Sequence, residues 1–131
     1  GGSGYDELNL IQKGGNYGWP AAEGDQRPPG TEPPVLHSGP NYTWAPAGAA
    51  YASGSVFFGG LRGEALYEAR LRDEGAPDFR VHFAKELGRI RVVRVGPDGM
   101  LYFATSNRDG RGRPRARDDQ ILRVDPKVFR K

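Results

Sequence analysis

The chain has 131 residues, enough for one ordinary domain with a core of its own. It contains no cysteine, which excludes disulfides and thiolate metal sites, and no apolar run near the roughly 18 residues of a membrane-spanning helix. The net charge of +3 is too small to single out a nucleic acid or an anionic surface as partner, and five arginines of that balance sit in one stretch, Arg108 to Arg117.

No stretch reads as a signal peptide, and Gly1-Gly2-Ser3-Gly4 reads as a linker or a glycine-rich loop, so the chain is expected to begin inside something larger. Short strands are predicted at Leu8–Ile11, Ser55–Phe58, Ala65–Leu71, Phe79–Ala84, Ile90–Val95, Met100–Ala104 and Gln120–Asp125. These runs are rich in β-branched and aromatic residues and are bounded by Gly, Pro or Asp. The 20 glycines and 11 prolines fall between them and act as turn punctuation. Gly96-Pro97-Asp98-Gly99 joins two strands as a tight hairpin. Helical periodicity never persists beyond about three turns, so the fold class is all-β.

The strands also repeat. Leu8, Leu66 and Ile121 open similar segments, and Ser53–Phe58 matches Asp98–Phe103 at an offset of 45 residues. Repeated β units of roughly this size suggest propeller blades. Residues 5–20 read as the end of one blade and a turn, 40–87 as one blade and 88–126 as a final blade. A propeller closes with about four to eight blades, so the remaining blades, in the same protein or a partner chain, are an expected partner. The alternative, a two-sheet sandwich, accounts less well for the offsets.

Equivalent positions in a propeller converge on one face of the central channel. The offset of 45 pairs Trp44 with Arg89 and Pro46 with Arg91. Trp44, Arg62, Arg89 and Arg91 are therefore expected to face a common site. A planar aromatic beside three guanidinium groups suits a flat polyanion, by stacking and by bidentate hydrogen bonds. The loop Arg108–Arg117 lacks interleaved aromatics for base stacking and reads as a solvated loop, with no nucleic acid implied. His37, in a Pro-rich loop, and His82, in an alternating strand, read as structural or solvent-facing. Trp19 is expected to pack between blades.

Six stretches in order resemble the soluble quinoprotein sugar dehydrogenases, the glucose/sorbosone dehydrogenase family. They are Asp6-Glu7-Leu8-Asn9-Leu10-Ile11, Gly14-Gly15-Asn16-Tyr17-Gly18-Trp19-Pro20, an aromatic-Trp-Pro-rich segment around Trp44, Gly60-Leu61-Arg62, Gly88-Arg89-Ile90-Arg91 and Gly96-Pro97-Asp98-Gly99 with Leu101-Tyr102. The resemblance runs from Asp6 to Val124 and corresponds to the C-terminal third of a six-bladed β-propeller, about two blades plus the end of another. It implies pyrroloquinoline quinone (PQQ) and Ca²⁺ as cofactors, a sugar as substrate, oxidation of the C1 hydroxyl to a lactone, and a periplasmic or secreted location.

By that resemblance Arg89 and Arg91 match the cofactor-binding arginine pair, and Arg62 a basic residue at the quinone. Trp44 matches an aromatic at the mouth of the site, with Tyr42 nearby. Asp6 matches an acidic residue near the cofactor-side Ca²⁺. Glu7 and the carbonyl of Tyr17 match ligands of a second Ca²⁺. The family's Leu-Tyr-x-x-Thr-Asp reads Leu101-Tyr102-Phe103-Ala104-Thr105-Ser106 here, so one carboxylate is missing unless Asp109 supplies it from the loop. The segment after Trp44 is short, which implies a more open sugar side. The family's catalytic His would precede residue 1, so the isolated chain is expected to be inactive. The alternative function is a non-catalytic propeller portion that binds carbohydrate or protein.

Overall fold

The computed structural model describes residues 3–131; Gly1 and Gly2 of the glycine-rich opening lie outside them. The chain divides into two compact units, Gly1–Thr43 and Trp44–Lys131. Among the described residues the regular structure is antiparallel strands and a single 3-10 turn.

In the first unit β1 (Glu7–Leu8) pairs with β2 (Leu36–His37), setting Glu7 opposite His37. The predicted strand stops at Leu8, since Leu10 and Ile11 stand in solvent. A tyrosine holds the following turn: Tyr17 Oη donates to Leu10 O at 2.6 Å and accepts from Gln12 N at 2.6 Å. Asn16 Oδ1 then accepts from Gly18 N, and Gly18 O from Ala22 N. Gly18 takes φ +95, and a side chain there would meet Ala22 Cβ at 2.9 Å. That tight inner side leaves the Trp19 side chain 90% exposed on this chain.

The second unit holds two sheets. The first is β3 (Pro46–Ala52), β4 (Ser55–Gly60), β5 (Ala65–Arg70) and β6 (Asp78–His82), in that order. The second is β7 (Ile90–Val95), β8 (Leu101–Thr105) and β9 (Ile121–Val124). They share one core of Phe57, Leu66, Ile90, Val93, Leu101 and Phe103. On the other face of the first sheet Trp44, Phe58, Tyr67 and Phe79 form an aromatic cluster, so β4 and β5 are buried on both sides. This is why those two strands read as near-continuous apolar runs rather than as alternation.

β3, Pro-Ala-Gly-Ala-Ala-Tyr-Ala, carries no β-branched residue and is invisible to propensity. Its small side chains are what the packing requires. A Cβ on Gly48 would stand 2.8 Å from Val93 N, and one on Gly59 in β4 would stand 2.5 Å from Ile90 O. The backbone of β7 therefore lies directly on β3 and β4.

The hairpin at Gly96–Gly99 forms as expected. Gly99 N donates to Gly96 O, Gly99 has φ +77, and Asp98 accepts from Met100 N and from Tyr102 Oη at 2.7 Å. The Tyr102 hydroxyl, then the Met100 amide, hold the Asp98 carboxyl below its ordinary range.

Beneath the core one buried carboxylate, Glu68, collects Ser55 Oγ at 2.5 Å, His82 Nε2 at 2.9 Å and Arg70 Nε at 3.3 Å. Burial pushes its pKa up, but the hydrogen bonds from Ser55, His82 and Arg70 together hold it below the usual value. The 3-10 turn Pro126–Arg130, capped by Asp125, closes over this network. Phe129 stacks on His82 at 4.1 Å and its carbonyl accepts from Arg70 Nη2 at 2.7 Å, while Arg130 reaches Ser53 O and Ser55 Oγ. His82 is thus fully engaged in structure.

Gly59→Ala is expected to lower stability by about 1–3 kcal/mol, as for an overpacked core, because the added methyl meets backbone and cannot be relieved by a side-chain rotation. A urea titration that finds the variant as stable as the parent would refute the close approach of β7.

Candidate functional site

The two sheets of the second unit are equivalent, but their residues do not align at one offset. Each inner ladder has a one-residue irregularity near its start, at Gly48 between Ala47 and Ala49 and at Arg91 between Ile90 and Val92. Matching them sets Ala47 on Ile90, and Gly59 on Thr105. First strands are then related by 43 positions and second strands by 46. The difference is the hairpin: Ala52 and Ser55 flank two residues, whereas Val95 and Leu101 flank five. Trp44 consequently corresponds to Leu87 and not to Arg89. Both are drawn inward, Leu87 against the main core and Trp44, 5% exposed, onto Phe79 at a 5.3 Å centroid separation. The offset of 45 that paired Trp44 with Arg89 is therefore corrected to 43 for the first strands, and the Trp44 ring packs on Phe58, Tyr67 and Phe79.

Arg89 and Arg91 do come together, at the start of β7. Arg89 Nε and Nη2 approach Asp109 Oδ2 at 3.1 and 2.8 Å, and Arg91 Nη2 meets the same oxygen at 3.1 Å. Ser106 sits between them, its Oγ accepting from Arg91 Nε at 3.0 Å and its carbonyl from Arg89 Nε at 3.2 Å. The loop residue Asp109 is therefore the carboxylate of the cluster, where the strand offers only Ser106. The Arg91 irregularity breaks strict alternation, and a bulge of this kind re-aims a side chain at the rim of a sheet.

Asn107, which the sequence does not single out, fixes the backbone behind this cluster. It is 1% exposed; its Oδ1 accepts from Arg89 N at 2.9 Å, and its Nδ2 donates to Leu87 O at 2.9 Å and Asp118 Oδ2 at 3.0 Å. Its own N–H donates to Asp119 Oδ1 at 2.6 Å. Gly88, with φ +79, leaves the space that the Asn107 amide fills. The signal available in sequence was Gly88 itself, a residue without a side chain directly before an arginine pair.

The guanidinium of Arg89 is mostly buried, that of Arg91 half exposed. Arg89 also donates from Nη1 to Leu61 O at 3.3 Å, tying β7 to the end of β4. There a groove of about 680 Å³ opens, lined by Leu61, Arg62, Arg89 and the arginines of the long loop. Arg62 and Arg89 share this groove; Arg91 lies outside its lining.

The remaining expected residues belong to the first unit. Asp6, Glu7 and Tyr17 line one groove of about 280 Å³ together with Glu23. Glu7 Oε2 accepts from Asn9 Nδ2 at 3.2 Å, and Asn9 Oδ1 is buried without a hydrogen-bond partner. Among the described residues no three His, Cys, Asp or Glu side chains gather as a metal-ligand set, so a cation here would need carbonyl oxygens as well. Tyr42 is exposed, and its carbonyl accepts from Ser38 Oγ. His37 is held by Gly39 N at 3.0 Å and by Asp25 at 3.2 Å.

The Arg111 amide, and then the Arg89 side chain, hold the Asp109 carboxyl far below the usual range. A depressed carboxyl stabilises the fold fully above its unfolded pKa of about 3.9 and loses that contribution only as pH falls toward the folded value. The stability difference between the parent and Asp109→Asn is thus expected to stay constant from neutral pH to about pH 5 and to shrink only below about pH 4; a difference that fades between pH 7 and 5 would contradict the clamp. Trp44→Ala is expected to cost about 3–5 kcal/mol in chemical denaturation, the loss typical of a buried aromatic.

Among the described residues no helix is long and apolar enough to cross a membrane. The profile of the Glucose / Sorbosone dehydrogenase family matches residues 1–123. The chain is 31% identical over 150 residues to the aldose sugar dehydrogenase YliI of Escherichia coli, covering 95% of this chain and 36% of that protein. It is 34% identical to slr1608 of Synechocystis sp. over 129 residues, covering 84% of this chain and 31% of that protein. The PQQ-bound aldose sugar dehydrogenase of Streptomyces coelicolor superposes with a TM-score of 0.81 at 44% identity, over 90% of this chain and 35% of its own. A putative glucose dehydrogenase from Thermus thermophilus superposes with a TM-score of 0.83 at 42% identity, over 92% and 36%. The chain spans about a third of the length of these relatives. Its sheets are part of a β-propeller, and the chain belongs to the glucose/sorbosone dehydrogenase family.

Proposed function

We propose that this chain is the cofactor-holding part of a PQQ-dependent aldose dehydrogenase, an oxidoreductase that converts the C1 hydroxyl of a sugar to a lactone. The observation that carries the reading is the pair Arg89 and Arg91 held on one carboxylate, Asp109. PQQ, when bound, supplies a two-electron acceptor for hydride from the sugar. Arg89 and Arg91 would orient its carboxylates, with Arg62 as a third cation and Tyr42 as an exposed aromatic nearby in sequence. Asp109 offsets part of the positive charge, which lets two guanidinium groups stand side by side before a ligand arrives.

Both histidines of the chain have structural partners, His37 with Asp25 and His82 with Glu68. Neither is placed to take the hydroxyl proton, so the base would come from other parts of the propeller and the isolated chain would not turn over. Ca²⁺ would be held by Glu7 and the carbonyl of Tyr17, with Asp6 near the cofactor-side ion. The unpaired Asn9 Oδ1 beside Glu7 is a neutral oxygen of the kind a hard cation takes.

Reconstitution of the full-length protein with PQQ and Ca²⁺, read by dye-coupled glucose oxidation, tests this reading. Arg89→Gln and Arg91→Gln are each expected to weaken PQQ retention about 10–100-fold, the effect of losing a charge-assisted hydrogen bond. Absence of both turnover and quinone absorbance after gel filtration would instead favour a propeller that only binds carbohydrate or protein.

A further inference from the structure

Asn107 is only 1% exposed, which keeps it from meeting a ligand itself, yet its bonds run to the backbone of Arg89 and to the long loop. Its carboxamide stands beside Leu87–Arg89 as a neighbouring strand would. Oδ1 accepts from Arg89 N at 2.9 Å and Nδ2 donates to Leu87 O at 2.9 Å, with Gly88 alone between those two backbone groups. Gly88 has φ +79, and a Cβ there would collide with the Asn107 amide. On the other side a Cβ on Gly112 would stand 2.6 Å from Asn107 Cα. The carboxamide is enclosed between two glycines and has one orientation. Its partners are one donor, Arg89 N, and two acceptors, Leu87 O and Asp118 Oδ2 at 3.0 Å.

Asp118 completes the link to the loop. The oxygen that accepts from Asn107 also accepts from Arg115 N at 2.7 Å, and the Asp118 carbonyl accepts from Arg108 Nε at 2.7 Å. Ser106, the residue before Asn107, meets both arginines of the site. Its N–H donates to Arg89 O at 2.8 Å, its carbonyl accepts from Arg89 Nε at 3.2 Å, and its Oγ accepts from Arg91 Nε at 3.0 Å. A shift of Asn107 therefore reaches both guanidinium groups through backbone. A buried amide with each polar end matched specifies one geometry, and the same burial makes any mismatch costly.

We propose that Asn107 and Asp118 are the positioning pair of the quinone site, holding the start of β7 so that Arg89 and Arg91 are aligned for the carboxylates of PQQ. The inference rests on the dehydrogenase reading and deepens it. A guanidinium fork gains most from a carboxylate when both N–H bonds align, and a backbone fixed beforehand spares the ordering that binding otherwise costs. The pair acts through the arginines and does not touch the cofactor.

The test measures PQQ affinity of the full-length protein for Asn107→Asp, Asp118→Asn and the exchange Asn107→Asp/Asp118→Asn, beside Arg89→Gln. Asn107→Asp keeps the shape and the acceptor toward Arg89 N but turns an oxygen onto Leu87 O and Asp118. It is expected to weaken PQQ binding about tenfold, and to speed amide hydrogen exchange at the start of β7 in the cofactor-free protein. The exchange restores an amide–carboxylate pair and is expected to return affinity to within about threefold of the parent. In an Arg89→Gln background Asn107→Asp is expected to cost about twofold or less, because its effect passes through Arg89. An equal loss with and without Arg89 overturns the inference, as does a variant that loses stability but keeps parental PQQ affinity. Should Asn107→Asp fail to fold, Asp118→Asn alone leaves both backbone bonds of Asn107 in place and is expected to weaken PQQ binding about threefold; parental affinity there overturns the inference. A parent protein that retains no PQQ overturns the dehydrogenase reading together with this one. A parent that retains it, with Arg89→Gln impaired and Asn107→Asp not, overturns this one alone.

Discussion

The contact on which the second unit depends is the approach of the β7 backbone onto β3 and β4. Gly48 and Gly59 keep that surface free of side chains, so main-chain atoms of Val93 and Ile90 lie where a methyl group would otherwise stand. The approach fixes the start of β7 relative to the end of β4, and Arg89 Nη1 reaching Leu61 O is its direct product. It also explains a strand made, Tyr51 apart, of alanine, glycine and proline. Such a strand is specified by what must fit over it rather than by its own preference for extended structure.

Two buried polar groups then set the details that a hydrophobic core alone would leave loose. Asn107 uses both ends of its amide on backbone and loop, and so carries the position of Arg89 across to Asp118. Glu68 gathers Ser55, His82 and Arg70 and gives the C-terminal turn something polar to close over. Each is satisfied by several partners, which is the condition under which burial of such groups is tolerated. The His82–Glu68–Ser55 arrangement has the residue types of a catalytic triad, but the carboxylate stands between the other two. The imidazole therefore has no route to the hydroxyl as a base.

Charge governs the site itself. Asp109 meets two guanidinium groups from a loop, and its amide contact with Arg111 draws that loop to the start of β7. The same contact brings the loop arginines to the groove beside Arg62 and Arg89. A loop that reads as solvated when taken alone becomes one wall of the site, because its acidic residue Asp109 is committed inward.

Much was legible in the residues alone: the all-β class, most of the second-unit strands and the Gly96–Gly99 hairpin. Strand composition and turn residues act over a few positions, so they can be read without the fold. Family membership was legible for the same reason, since ordered short motifs survive in linear form. What stayed hidden depended on distance in space. β3 was hidden because its logic is the Ile90 and Val93 backbone above it; Asn107 because its partners are 11 to 20 residues away. The register was misread because the two hairpins differ by three residues, which an ungapped offset cannot absorb. Sequence by itself determined which residues carry charge and which segments extend. The packed sheets decided that Trp44 is core and that Arg89 and Arg91 share one carboxylate, because only close packing converts a list of side chains into directions.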